Sequence, residues 1–184
     1  MIRMLRTVVV AATLIGATSA TTLVAQDKNT VRVPQGLGFA DFKGYEGWHV
    51  ISVSQGAPGI MAAILGNDVM IRAYMDGIPG NGKVFPNGAK MAKIHWNTKK
   101  LATFPSAINA GALHDVDFMV KDSAKYASSG GWGYAAFEYD TLKHTFRPAD
   151  AKSSPPQAAG ASCGFGCHTV VKKDDYVFTH YAPR

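Results

Sequence analysis

The sequence predicts a mainly β (α+β) fold, an antiparallel sheet with a few short helices, and three observations carry that prediction. Short segments rich in β-branched and aromatic residues recur along the chain, separated by clusters of glycine, proline and asparagine. No long crossover helices lie between these segments, so neighbouring strands are expected to run antiparallel. Long heptad-like stretches are missing as well, which excludes a four-helix bundle.

Taken in order, the chain of 184 residues opens with Arg3 and Arg6 and then runs apolar from Thr7 to Ala25. A basic start, an apolar run and small residues at Ala20 and Ala25 are the marks of a cleaved export signal, assigned to residues 1–25. Residues 26–43, with Pro34 and several glycines, read as a partly ordered arm, and residues 44–184 as a single domain. The first strand is expected at residues 48–53 and the second at 60–65, joined by a turn carrying Gly56, Pro58 and Gly59. Asn67 or Asp68 can cap a short helix over 69–75, and residues 77–82 stop it. A strand over 89–96 alternates, placing Met91, Lys93 and His95 on one face and Ala92, Ile94 and Trp96 on the other. After a loop at Pro105, residues 116–120 read as a strand, 121–126 as a turn or short helix, and 132–139 as an aromatic-rich strand. Residues 148–160 form a connector, and 176–179 a last apolar element. The total is about five strands and two or three short helices.

The formal charge of +6 is lowered by two when Arg3 and Arg6 leave with the leader. The basic residues are scattered rather than blocked, which argues against a nucleic-acid partner. No segment after the leader is long enough to span a bilayer, so no stable membrane insertion is expected after cleavage.

Both cysteines lie in one run, Ala161-Ser162-Cys163-Gly164-Phe165-Gly166-Cys167-His168. Two thiols followed directly by an imidazole resemble the attachment signature of haem c: the thiols add across the vinyl groups and the histidine ligates the iron. Here three residues separate the cysteines where the usual signature has two, and the glycines flanking Phe165 are expected to let a loop bulge between them. Two alternatives stand beside haem. The cysteines of an exported chain can close a small disulfide, and a zinc site is conceivable, although no second cysteine pair supplies the usual four ligands. His49, His144 and His180 have no spacing that makes a metal site; His49 is expected in the core and the other two at the surface.

Six segments in a fixed order carry a resemblance that covers most of the chain beyond the leader. They are Gly44-Tyr45-Glu46-Gly47-Trp48, Ile64-Leu65-Gly66-Asn67-Asp68, Phe85-Pro86-Asn87-Gly88 with Lys93 after it, Val120-Lys121-Asp122-Ser123, Gly131-Trp132-Gly133-Tyr134, and Cys163 to His168 with Asp175-Tyr176-Val177-Phe178-Thr179. In these the chain resembles the cytochrome P-460 family, which includes hydroxylamine-oxidising enzymes and the β-sheet cytochromes c-prime that bind nitric oxide. The export signal implies a periplasmic location, and the resemblance implies a homodimer of mainly antiparallel sheet with haem packed at the sheet. The haem c would be fixed through Cys163 and Cys167, with His168 as the iron ligand and the opposite axial position open. It also implies a covalent link from Lys93 to the porphyrin, which would make the group P-460-type, and a redox partner cytochrome to take the electrons.

Hydroxylamine oxidation needs a base for the substrate's protons. Asp117, Asp115, His114 and His95 are the candidates by position on or beside strands. The hydroxylamine-oxidising members carry an arginine near the distal face in the second strand, where this chain has Met61-Ala62-Ala63. That departure points toward an apolar distal wall, capped by Phe39, Phe42 or Phe118, which suits binding of nitric oxide or electron transfer without turnover.

Overall fold

The computed structural model describes residues 25–152 and 162–184, with only the backbone of Ser162 and Cys163; the leader expected at 1–25 therefore falls almost wholly outside the described residues, as does most of the 148–160 connector. Six antiparallel strands form one sheet in sequence order: β1 (His49–Ala57), β2 (Ile60–Gly66), β3 (Lys90–Leu101), β4 (Phe104–Lys121), β5 (Trp132–Asp140) and β6 (Thr145–Pro148). The mainly β antiparallel architecture is as the sequence predicts. The differences lie in extent. The stretch around Pro105, expected as a loop, is the start of an 18-residue β4 that pairs with β3 down to Leu101↔Phe104. A sixth strand, β6, closes the edge beside β5, and it ends at Pro148, a residue that an edge tolerates because one side of the strand needs no donor.

Helix α1 (Asp68–Met75) forms where capping chemistry predicts it. Asn67 Oδ1 accepts from Met70 N and from Lys90 N, both at 3.0 Å, while its Nδ2 donates to Gly88 O at 2.9 Å. One side chain thereby caps α1 and ties it to the start of β3. Gly66 packs closely under α1: a Cβ there would lie 2.8 Å from Ile51 Cδ1 and 3.2 Å from Met70 Cβ, so a side chain would displace Ile51. Asn87 accepts from Ser123 N at 2.8 Å. The Gly66-Asn67, Asn87-Gly88 and Lys121-Ser123 segments, far apart in sequence, are thus one hydrogen-bonded frame.

The sheet is covered on both faces. On one face Ile51, Ile64, Met70, Tyr74, Phe85, Trp132 and Val177 form a core with α1 and the C-terminal segment. On the other, Val33, Leu37, Phe39, Phe42 and Tyr45 pack against Leu65, Ala92, Val116, Phe118, Ala135 and Phe137. Residues 26–43, expected as a partly ordered arm, therefore supply buried side chains to this second core: Phe42 stacks on Phe118 at 4.2 Å and Phe39 meets Phe137 at 4.3 Å. His49, expected in the core, is exposed and pairs with Asp68 at 3.3 Å. His144 and His180 are exposed. Among the described residues no helix is long and apolar enough to cross a membrane.

Candidate functional site

A cavity of about 500 Å³ lies on the first sheet face, between strands β2 to β5 and the C-terminal segment. Strand register builds its floor. Ile64 pairs with Lys93, Lys93 with Asp117 and Asp117 with Ala136, forming one row across four strands. Two residues along each strand, the next row runs Ala62, His95, Asp115, and on the other side lies Met91, Met119, Tyr134. Alternation along a strand repeats every second residue, so all three rows share one face. The face expected for Met91, Lys93 and His95 is the cavity face.

A bulge adds a further histidine. His95 opposes Asp115 and Trp96 opposes Leu113, so His114 is the extra residue on β4. Bulges re-aim side chains, and here both His114 and Asp115 line the cavity. His114 Nδ1 lies 2.6 Å from Asp115 Oδ2, and His95 Nδ1 contacts Asp115 Oδ1. Carboxylate oxygens accept, so each imidazole donates its Nδ1–H to the same buried Asp115. Asp117 Oδ2 stands 3.8 Å from His95 Nδ1, while Asp117 Oδ1 is buried without a hydrogen-bond partner. Burial first, and the Asp115 carboxylate second, push Asp117 up to about 7 against the opposing charges of His95, Lys93 and His114. The result is a carboxyl group that exchanges its proton near neutral pH, inside a cavity. The four candidates Asp117, Asp115, His114 and His95 are one cluster.

The opposite wall comes from helix α2 (Ser162–His168) and from residues 177–179, which follow a 3-10 helix at Thr169–Asp174 and carry no regular secondary structure. The cysteine run, expected as a bulging loop, is helical. Position 163 therefore lies one helical turn before Cys167, the spacing at which helix residues share a face. The Cys163 side chain lies outside the described residues; Cys167 is an exposed free thiol at the cavity's edge. Gly164 admits the close packing of α2 on β5, since a Cβ there would lie 2.7 Å from Tyr134 Cβ.

His168 Nδ1 donates to the Tyr176 carbonyl at 2.7 Å, which leaves Nε2 to present a lone pair. Its ring packs between Tyr134 at 5.0 Å and Phe178 at 4.9 Å. Burial holds this imidazole below its ordinary pKa; the Tyr176 hydrogen bond opposes that and the Lys93 charge adds to it. Neutral imidazole is the form that ligates a metal. Lys93 lines the cavity, and its charge bears on both His168 and Asp117. Val177, Phe178 and Thr179 line the cavity where the sequence places an apolar clamp.

Phe39 and Phe42 are not a distal cap. They fill the core on the far face of the sheet, and Phe118, though its position borders the cavity, turns its ring to them. Odd and even residues of β4 face opposite sides, so Phe118 cannot share a face with Asp117 and Met119. On β2 the cavity wall is apolar, formed by Ile60, Ala62 and Ile64.

These residues fit a haem. The cavity volume falls in the range of cofactor sites, roughly 300–1,000 Å³. Two buried polar atoms at its lining, Tyr134 OH and Asp117 Oδ1, have no protein partner. Burial also pushes the Tyr134 phenol up, keeping it a neutral donor. Two helical cysteine positions and a histidine with an oriented ring supply the attachment and axial chemistry. Sequence reasoning missed Tyr134 as a cavity residue and missed the role of Asp175; the Gly131-Trp132-Gly133-Tyr134 run and the adjacent acidic residues Asp174 and Asp175 before Tyr176 were the available signals. In comparisons with known proteins, the family model described as Cytochrome P460 matches residues 42–179. No curated protein matches the chain.

Proposed function

We propose, from the premise that the chain belongs to the cytochrome P460 family, that it is an exported mono-haem c cytochrome that oxidises hydroxylamine. The family makes it a haem cytochrome; the attachment, the reaction and the location are inferred as follows. Cys163 and Cys167 would hold the porphyrin by thioether bonds and His168 Nε2 would ligate the iron. Lys93, on the central row of the cavity floor, would form the link to the porphyrin edge. The haem would supply redox-active iron as the acceptor of the substrate's electrons.

The observation that carries the reading is Asp117. Oxidation of hydroxylamine to nitric oxide releases three protons and three electrons, and oxidation to nitrous oxide two of each per hydroxylamine, so a group must receive protons in the cavity. A carboxyl that titrates near 7 suits that task, because a base is most effective when its pKa lies near the operating pH. Asp115 holds His95 and His114 by their Nδ1–H groups. His114 is the more exposed of the two, at 41% of its side chain against 13%, so the cluster leads from the cavity toward solvent. Electrons would pass to a partner cytochrome. The leader supports a periplasmic location, and a homodimer is proposed on the family resemblance alone.

The apolar β2 wall, without the arginine of the hydroxylamine-oxidising members, favours a second reading: a β-sheet cytochrome c-prime that binds nitric oxide or transfers electrons without turnover. Steady-state oxidation of hydroxylamine with an artificial electron acceptor separates the two. Turnover supports the first reading, and tight nitric oxide binding with no turnover supports the second.

A further inference from the structure

Behind the His168 wall a buried ion pair meets the turn that orients this histidine. Lys121, the last residue of β4, and Asp175 are each about 4% exposed and are joined Nζ to Oδ1 at 2.7 Å. Both groups have further partners. Lys121 Nζ also donates to Gly130 O at 3.0 Å and stands 5.0 Å from the Trp132 ring centroid; Asp175 Oδ2 accepts from Phe85 N at 2.8 Å. The pair thus joins β4, the Gly130-Gly131 turn, the Phe85 loop and the C-terminal segment.

Asp175 and Tyr176 have φ values of +51° and +64°. Two successive non-glycine residues in the left-handed region persist only where the surroundings impose the conformation. The Tyr176 carbonyl leaving this turn is the acceptor for His168 Nδ1–H. The Tyr176 ring is held on its other side by Gly130, where a Cβ would lie 2.2 Å from Tyr176 Cε2. Gly130 therefore receives the ring with its α-carbon and Lys121 with its carbonyl.

We propose that the Lys121–Asp175 ion pair is the positioning device for His168, acting through the Tyr176 carbonyl. This rests on the reading that His168 ligates the iron. A hydrogen bond from Nδ1–H to a fixed acceptor sets both the tautomer and the rotation of a ligating imidazole. The acceptor is fixed by the turn, and the turn is fixed by the pair. Stability alone is a weak reason for such a pair, because desolvation offsets much of its attraction; fixing several backbone groups relative to one another is what its directional bonds add.

The test follows the His168 Nδ1–H proton by NMR, in the diamagnetic ferrous carbon monoxide form or, where the purified chain carries no haem, in the chain as isolated. Resonance Raman of the ferrous protein follows the iron–histidine band. Asp175→Asn leaves Lys121 buried and unpaired and can fail to fold. Lys121→Met with Asp175→Asn removes both charges and keeps an acceptor for Phe85 N–H, whereas Lys121→Arg keeps the pair. The double variant is expected to exchange the His168 proton at least about tenfold faster than the parent and to broaden or shift the iron–histidine band, with Lys121→Arg close to the parent in both. A folded double variant with parental exchange rate and band overturns the proposal. Haem bound without His168 overturns the ligand reading alone, since the exchange measurement still reports on the turn.

Discussion

Replacing Asp117 by asparagine removes the proton acceptor while keeping its shape, and two independent readouts follow. In the folded chain Asp117 holds its proton up to about pH 7, against an ordinary value of 3.8. Between those values the folded state binds more protons than the unfolded state, so stability falls as pH rises from about 4 to 7. The contribution is fully present only below the unfolded pKa. About three pH units correspond to roughly 4 kcal/mol; this is an upper bound, because 26% of the side chain is exposed and screened. Asp117→Asn is therefore expected to match the parent near pH 4 and to exceed its unfolding free energy by up to about 4 kcal/mol near pH 8, measured by denaturant unfolding across pH. Hydroxylamine turnover is expected to fall roughly a hundred- to ten-thousandfold, with loss of the limb of the pH–rate profile near 7 and an unchanged haem content. Parallel stability curves, or turnover with an unchanged pH profile, would refute the role given to this carboxyl.

His168→Gly should retain covalently attached haem but lose the iron–histidine band in resonance Raman, and added imidazole should restore it; an unchanged band would remove His168 as ligand. Proteolytic fragments of the parent should carry haem on both the peptide containing Cys163 and Cys167 and the peptide containing Lys93. Lys93→Ala should give the fragments and reduced spectrum of ordinary haem c, and a parent spectrum already of that kind would exclude the lysine link. Gly164→Ala places a methyl 2.7 Å from Tyr134 Cβ, so α2 must move off β5. A loss of about 1–3 kcal/mol in stability is expected, and unchanged thermal unfolding would show that the helix can shift freely.

Local signals made the strands and α1 legible in the sequence. A β-branched run marks β1, an apolar run bounded by glycines marks β2, and Asn67 marks the cap it forms. The cavity face of β3 follows from alternation alone, since Lys93 and His95 are two residues apart. What escaped depends on pairing across the chain. Nothing local shows that β4 begins at Phe104, because its outer half gains strand geometry from β3. The bulge that turns His114 inward is a mismatch between two strands, visible only once both are aligned. Phe39 and Phe42 read as free to cap a site because their burial depends on Phe118 and Phe137, far away in the sequence. The glycines at 164 and 166 suggest a loop by propensity, yet Tyr134 leaves space only for a glycine at 164 and the segment is helical.

The central claim is that this cavity turns hydroxylamine over rather than merely holding a gas. Steady-state oxidation of hydroxylamine by the purified haem-loaded chain, with an artificial acceptor and across pH 5 to 9, tests it most directly. Acceptor reduction that depends on hydroxylamine, with a pH limb near the Asp117 value of about 7, is the result expected. Tight nitric oxide binding with no acceptor reduction at any pH would contradict the claim.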